Sequence, residues 1–317
     1  MSLSEPFPLL RLPRLPLFKV FNDICVREQF YISICSSKAK YAIKFYNEKQ
    51  KFSVTFRFTD TFAFSLKTGH NKFWIDVQTI TPTFGSMGIF LSSVDVEAPP
   101  NVQRLLLFLS DVFNTPAIRL VFEEKPHDFV SGFINFIHSM KLKIYYLEIK
   151  SNDGESVEYI LDNCRQGFSK IYLNCPMLHT EFEYLNKPLA PKFSLDELAI
   201  SYAGWVTTWH LTKLFINCKY VKLDRCNPRN INVKQFIQKW NDGYSQLKFA
   251  RLAFNHVDFS FADIMRGIPS TIVSTEEMGL ELSPFNNTVY RIQQQKTGRE
   301  VYVFSNQDYI GLTDSLQ

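Results

Sequence analysis

From Leu17 onward the apolar residues recur at the spacing of one helical face, with Leu17, Val20, Phe21 and Ile24 at i, i+3, i+4 and i+7. Pro16 suits the first turn of that helix, where its missing N–H costs nothing. Ahead of it Pro6, Pro8 and Pro13 hold the chain extended. A second helical stretch carries Phe30, Tyr31, Ile34 and Cys35 as paired i, i+4 positions, and its end at Ser36–Lys40 places cations against the helix dipole. Residues 7–40 therefore predict a pair of short helices behind a disordered tail, 1–6. That pair is too small to form a core alone and needs a partner surface.

The texture then changes to period two. Lys51-Phe52-Ser53-Val54-Thr55-Phe56-Arg57-Phe58 alternates polar and apolar residues, the mark of a strand with one buried face. Tyr41–Tyr46, Phe62–Leu66 and Phe73–Val77 have similar character, and Thr68-Gly69-His70-Asn71 supplies a turn. These predict a small antiparallel meander over 41–100, closing on a polar, proline-containing joint at Ser92–Pro100.

Over 101–270 helix and strand patterns alternate. Val102, Leu105, Leu106, Leu109, Val112 and Phe113 line one helix, and Phe129, Phe133, Phe136, Ile137 and Met140 another. Strand cores recur at Ile118/Leu120, Leu147/Ile149, Ile171/Leu173, Leu198/Ile200, Val221/Leu223 and Leu252/Phe254, spaced by roughly 23–31 residues, close to the leucine-rich-repeat range. Asn174-Cys175 and Asn217-Cys218 are expected to end two of these strands. Val233, Phe236, Ile237 and Trp240 form a helix stopped by Asn241-Asp242-Gly243. In 271–317, Val289–Gln293 and Glu300–Phe304 flank Lys296-Thr297-Gly298-Arg299 as an edge or capping hairpin. The expected class is α+β: a helical head, a meander, an α/β repeat-like domain and a hairpin.

Composition sharpens this picture. Thirty Phe and fourteen Tyr stand against twelve Gly, which favours strands and thick aromatic packing. The net charge of +4 is spread along the chain and points weakly to nucleic acid. Lys38, Lys40, Lys44, Lys49 and Lys51, interleaved with aromatics, read better as solubilising charge than as an RNA surface. No long apolar run predicts a membrane span. Cys25, Cys35, Cys164, Cys175, Cys218 and Cys226 lack metal-site spacing and suit a reducing compartment, cytoplasmic or nuclear. The sequon Asn286-Asn287-Thr288 is then a chance match.

Candidate chemistry is sparse. His70, His127, His138, His179, His210 and His256 fit no metal motif, and no phosphate loop or nucleophile elbow occurs. No enzyme activity, cofactor or metal is expected. Trp205 and Trp209 stand at i, i+4, either as an exposed binding pair or as core. Tyr172 and Lys222, with Glu148, Ala199 and Ala253, alternate with the strand cores and would face a partner.

Leu12-Pro13 and Leu15-Pro16, an amphipathic helix and Ser33-Ile34-Cys35-Ser36-Ser37-Lys38-Ala39-Lys40 resemble the abbreviated F-box of the large nematode F-box families. Trp205-Val206-Thr207, His210-Leu211, Asn217-Cys218-Lys219, Val221-Lys222-Leu223, Phe236–Trp240 and the segment Arg291 to Arg299 resemble their F-box-associated domain type 2. The resemblance covers about 7–40 and 170–305. It implies a non-catalytic substrate receptor of a Skp1–cullin–F-box ubiquitin ligase. Leu12, Pro13, Leu15, Pro16, Leu17, Val20, Phe21 and Ile34 would dock on Skp1, and the C-terminal domain would hold an unidentified target protein. A scaffold uncoupled from ubiquitination, with 7–40 as a cap, is the alternative.

Overall fold

The computed structural model describes residues 9–60, 62–68, 71–76, 99–114, 116–176, 182–184, 192–243, 245–254, 260–273, 288–305 and 308–314. The expected tail at 1–6, the turn at 69–70, Val77, most of the Ser92–Pro100 joint, the sequon's asparagines and His70, His179 and His256 lie outside the described residues. The chain divides into two compact units, Met1–Tyr145 and Tyr146–Gln317.

The first unit opens with α1 (Arg14–Asp23), α2 (Val26–Cys35) and α3 (Ser37–Tyr46), three helices where two were expected. Pro16 is the third residue of α1, still among the positions whose N–H has no intrahelical partner, so the helix begins two residues before it. The Glu28 carboxylate accepts the Cys25 N–H at 2.7 Å and caps α2. Ser36, extended at φ −165°, ends α2 and caps α3, its hydroxyl accepting from the Ala39 N–H at 3.1 Å. Tyr41–Tyr46 is therefore helix, not strand. The Ser36 cap and the buried i, i+4 pair Ala39 and Ile43 outweigh a local alternation that strand and helix share over six residues.

Strands β1 (Phe52–Phe58), β2 (Phe62–Thr68) and β3 (Asn71–Asp76) form the expected antiparallel meander. The same sheet continues into β4 (Ala117–Glu123), which runs parallel to β1 with Phe56 opposite Leu120 and Phe58 opposite Phe122. Helices α4 (Pro99–Val112) and α5 (His127–Ser139) complete the unit. The elements expected to begin a new domain at 101 thus belong with the meander.

Phenylalanine explains the packing. Phe58 stacks on Phe122 at 5.0 Å and meets Phe129 and Phe133 edge-on at 5.0 and 5.2 Å. Phe30 of α2 reaches Phe64 of β2 at 5.4 Å and Phe108 of α4 at 6.1 Å. The partner surface that the helical head needs is supplied by its own unit. Burial of Phe21 and Phe30 there stabilises it by about 2–3 kcal/mol per ring.

Strand β5 (Ile144–Lys150) carries the chain into the second unit at Tyr146, and there β5, β6 (Lys170–Asn174), β7 (Glu197–Ile200), β8 (Tyr220–Cys226) and β9 (Phe249–Phe254) lie parallel in sequence order. Next come β10 (Thr271–Val273), β11 (Val289–Gln293), β12 (Glu300–Ser305) and β13 (Tyr309–Thr313). They pair antiparallel in the order β10-β11-β12-β13, and β13 joins β9. The terminal hairpin is therefore interior: β10 flanks one arm and β13 the other. Gln294 beyond β11 is buried, its amide donating to the Trp240 carbonyl at 2.8 Å. That bond satisfies the last turn of α7 (Val233–Asp242).

Register runs straight across the parallel strands. Ile149, Leu173, Ile200, Leu223 and Leu252 form one buried row, and Leu147, Ile171, Leu198, Val221 and Ala250 another. The last core pair is thus Ala250/Leu252, not Leu252/Phe254. A bulge after Leu223, with Arg225 at φ 56°, shifts Phe254 to face Cys226. Asn174 ends β6 as expected, but Asn217-Cys218 precedes β8. Among the described residues, α6 (Gly154–Asn163) and α7 turn their apolar sides inward, and α7 meets the leucine face of β9 and β13 through Val233, Phe236 and Ile237.

Candidate protein-interaction surfaces

The residues expected to dock on Skp1 separate by exposure. Pro13, Leu15 and Pro16 are exposed, Leu12 and Val20 half-buried, and Leu17, Phe21 and Ile34 buried. The buried three hold α1 and α2 in the first unit, and direct docking through them would require the head to open. Two further exposed side chains, Tyr41 and Phe45 on α3, were missed by sequence reading. Leu15 is 83% exposed, Tyr41 75% and Phe45 40%. Tyr41 and Phe45 lie one turn apart on one face of α3. Phe18 bridges α1 to that face at 5.7 Å from Phe45, and the Arg14 guanidinium lies 3.9 Å from the Phe45 ring centre. The missed signal was the Ser36 cap: once α3 is a helix, Tyr41 and Phe45 share a side.

Behind this patch Asp111 of α4 accepts from Lys40 and Lys44 at 2.6 and 2.5 Å. Their hydrogen bonds hold its carboxyl below the usual carboxylate range, and Asp111 in turn raises Lys44. Two of the lysines considered for RNA are thus spent on tying α3 to α4.

The second candidate surface is the face of the second unit's sheet opposite the leucine rows. Glu148, Tyr172, Ala199, Lys222 and Arg251 lie in one register row, with Arg251 where Ala253 was expected. The charges on this face pair with each other. The Glu197 carboxylate accepts from Lys170 and Lys222 at 2.7 Å each. Burial alone would raise that carboxyl, and the two lysines outweigh burial and lower it. Arg251 lies 3.7 Å from Asp224 and 5.0 Å from the Tyr309 ring centre. Tyr172 shares a hydrogen bond of 2.6 Å with Ser201. The face therefore offers aromatic rings among charges paired with one another, which suits a protein surface better than a polyanion.

The tryptophan pair does not share a helix. Trp205 lies in a turn, is 6% exposed and meets Phe182 edge-on at 5.1 Å. Trp209 lies in the helical turn that starts at Thr208 and passes into a π-helix at His210–Leu214, and it is 43% exposed. Trp205 is core, and only Trp209 remains available to a partner. His210 between them is buried, and desolvation depresses its pKa despite a hydrogen bond to the Tyr184 carbonyl.

Tyr184 belongs to a buried polar group. Its hydroxyl donates to the Asp162 carboxylate at 2.8 Å and receives the Arg165 guanidinium. Arg165 is 2% exposed and donates through Nε to the Leu161 carbonyl at 2.6 Å. Cys164, Cys175, Cys218 and Cys226 are buried, and burial pushes the Cys218 thiol up to about 12. No group of three or more His, Cys, Asp or Glu among the described residues is placed to hold a metal ion. No helix among them is long and apolar enough to cross a membrane. Comparison with protein-family models, curated proteins and solved structures returns no match.

Proposed function

We propose that this chain is a substrate-recognition adaptor of the Skp1–cullin–F-box type. In this reading the first unit carries an F-box-like head and the second a leucine-rich-repeat-like capture domain. The observation that carries it is the exposure of Pro13, Leu15 and Pro16 at the start of α1 together with that of Tyr41 and Phe45 on α3, whose Phe45 is reached from α1 by Arg14 and Phe18. Leu12, Pro13, Leu15 and Pro16 are the docking residues, while Leu17, Phe21 and Ile34 hold the head in shape. The capture reading draws support from five parallel strands in sequence order and from an aromatic face whose charges are paired with one another. Tyr172, Lys222 and Trp209 are the contacts proposed for the target protein.

A second reading is a scaffold not coupled to ubiquitination, and the burial of Leu17, Phe21 and Ile34 within their own unit favours it. Binding of the purified chain to a Skp1-like adaptor separates the two. The adaptor reading expects binding that falls more than about tenfold in the double variant L15D/F45D with an unchanged far-ultraviolet spectrum. Undiminished binding by that variant refutes the assigned surface, and no binding by the native chain leaves the scaffold. Point variants suit this test better than removal of residues 1–40, which would strip Phe21 and Phe30 from the core.

A further inference from the structure

We propose that His210 is a proton-operated latch, independent of the adaptor reading, that releases the strap 182–184 from the turn carrying Trp205 in mild acid. The imidazole joins two segments by hydrogen bonds of opposite sense. Its Nδ1 accepts the Thr207 backbone N–H at 3.0 Å. Its Nε2 faces the Tyr184 carbonyl at 3.3 Å, where only an N–H can bond. The ring is thereby fixed as the neutral tautomer with its proton on Nε2. A proton added at Nδ1 would break the bond from the Thr207 N–H that holds the turn, and of the two Thr207 groups at 3.0 Å only the hydroxyl oxygen could then accept from the ring.

The surroundings make this costly. His210 is 4% exposed and is boxed by Trp205 at 5.4 Å, Trp209 at 5.3 Å, Tyr184 at 6.0 Å and Phe215 at 6.2 Å. Aromatic walls give an imidazolium no counter-ion. Of the titratable groups on neighbouring elements, Asp162 and Arg165 engage the Tyr184 hydroxyl rather than the imidazole. Tyr184 stays neutral because burial raises its phenol. Glu183 on the strap, Lys213 on the π-turn and Lys239 and Asp242 on α7 are exposed, and Lys234 of α7 is half-buried. No carboxylate among the described residues pairs with His210. The protonated ring is relieved by leaving the box, which uncovers Trp205.

The discriminating variant is H210Q, whose amide oxygen can accept from Thr207 and whose NH2 can donate to Tyr184, without titrating near neutrality. Tryptophan emission and acrylamide quenching of the full chain are followed from pH 8 to 4.5. The native chain is expected to red-shift and become at least about twofold more quenchable below pH 6.5, the ordinary histidine value. H210Q should stay flat over that range, and W205F should lose most of the native change. An identical transition in H210Q, or none in the native chain, overturns the proposal. Should H210Q not fold, the His210 Cε1–H resonance of the native chain decides: a midpoint at or above 6.5 refutes the latch, and one below it with concurrent Trp205 exposure supports it.

Discussion

At the scale of single residues, exposure divides side chains that look equivalent in sequence. Leu15, Leu17 and Phe21 are all apolar and lie within two turns, yet Leu15 is 83% exposed and Phe21 fully buried. The difference lies in what covers each side of α1, which spacing cannot report. It predicts opposite mutational results. Phe30→Ala removes a ring packed on Phe64 and Phe108 and should cost about 3–5 kcal/mol in urea unfolding. Leu15→Asp should stay within about 0.5 kcal/mol of the native chain, because a solvent-facing substitution leaves no cavity. A large loss for Leu15→Asp would mean that the residue is part of the core, and the docking patch would then lose its first member. The helical periodicity identified Leu17, Val20 and Phe21 correctly, the first and last buried and Val20 half-buried, but Ile24 falls just past the end of α1 in extended backbone. Whether that face met its own chain or a partner was not legible, because the answer depends on Tyr46 of α3, which meets Phe21 at 5.5 Å, in a stretch that reads locally as a strand.

At the scale of elements, short apolar alternations were the weak point. Tyr41–Tyr46 reads as a strand only when Ser36 is taken as part of the preceding helix. As a cap, Ser36 starts a new helix whose buried positions are Ala39 and Ile43. Ser36→Ala should therefore destabilise the first unit by about 1 kcal/mol, and Ser36→Asp should restore most of that, as a midpoint shift in urea would register. A neutral result for Ser36→Ala would show that packing alone holds α3. The parallel strands of the second unit were legible because their cores recur in buried pairs, five in register. The last pair slipped by two residues because β9 alternates throughout, through Ala250, Leu252 and Phe254. A strand that is apolar at three alternate positions does not disclose which two align with its neighbour. The Trp205–Trp209 spacing misled for a related reason: i, i+4 implies a shared face only inside a helix, and Trp205 lies before one.

At the scale of the whole molecule, the ionisable groups predict how stability follows pH. Asp111, Asp196 and Glu197 have carboxyls held low by lysines, so their contribution is complete above the unfolded carboxylate range and is lost as pH falls through the lowered values. These pairs are partly open to water, so the loss should be small and should shrink further in high salt. The histidines act in a higher window. Burial depresses His210 in the second unit and His138 in the first, so each stabilises its unit fully above about 6.5 and less as pH falls below it. One such group can steepen the loss by at most about 1.4 kcal/mol per pH unit. The tryptophans separate the two units: Trp74 belongs to the first, and Trp205, Trp209 and Trp240 to the second. In a W74F background, tryptophan emission during urea unfolding therefore comes from the second unit, and an added H138Q substitution removes His138 of the first unit from the comparison. Between pH 7 and 5 the urea midpoint should fall with His210 in place and hold in H210Q. Below about 4.5 both should decline, and E197Q should flatten only that lower limb. An upper limb that persists in H210Q would assign the neutral-to-acid loss to groups other than the imidazole between Thr207 and Tyr184.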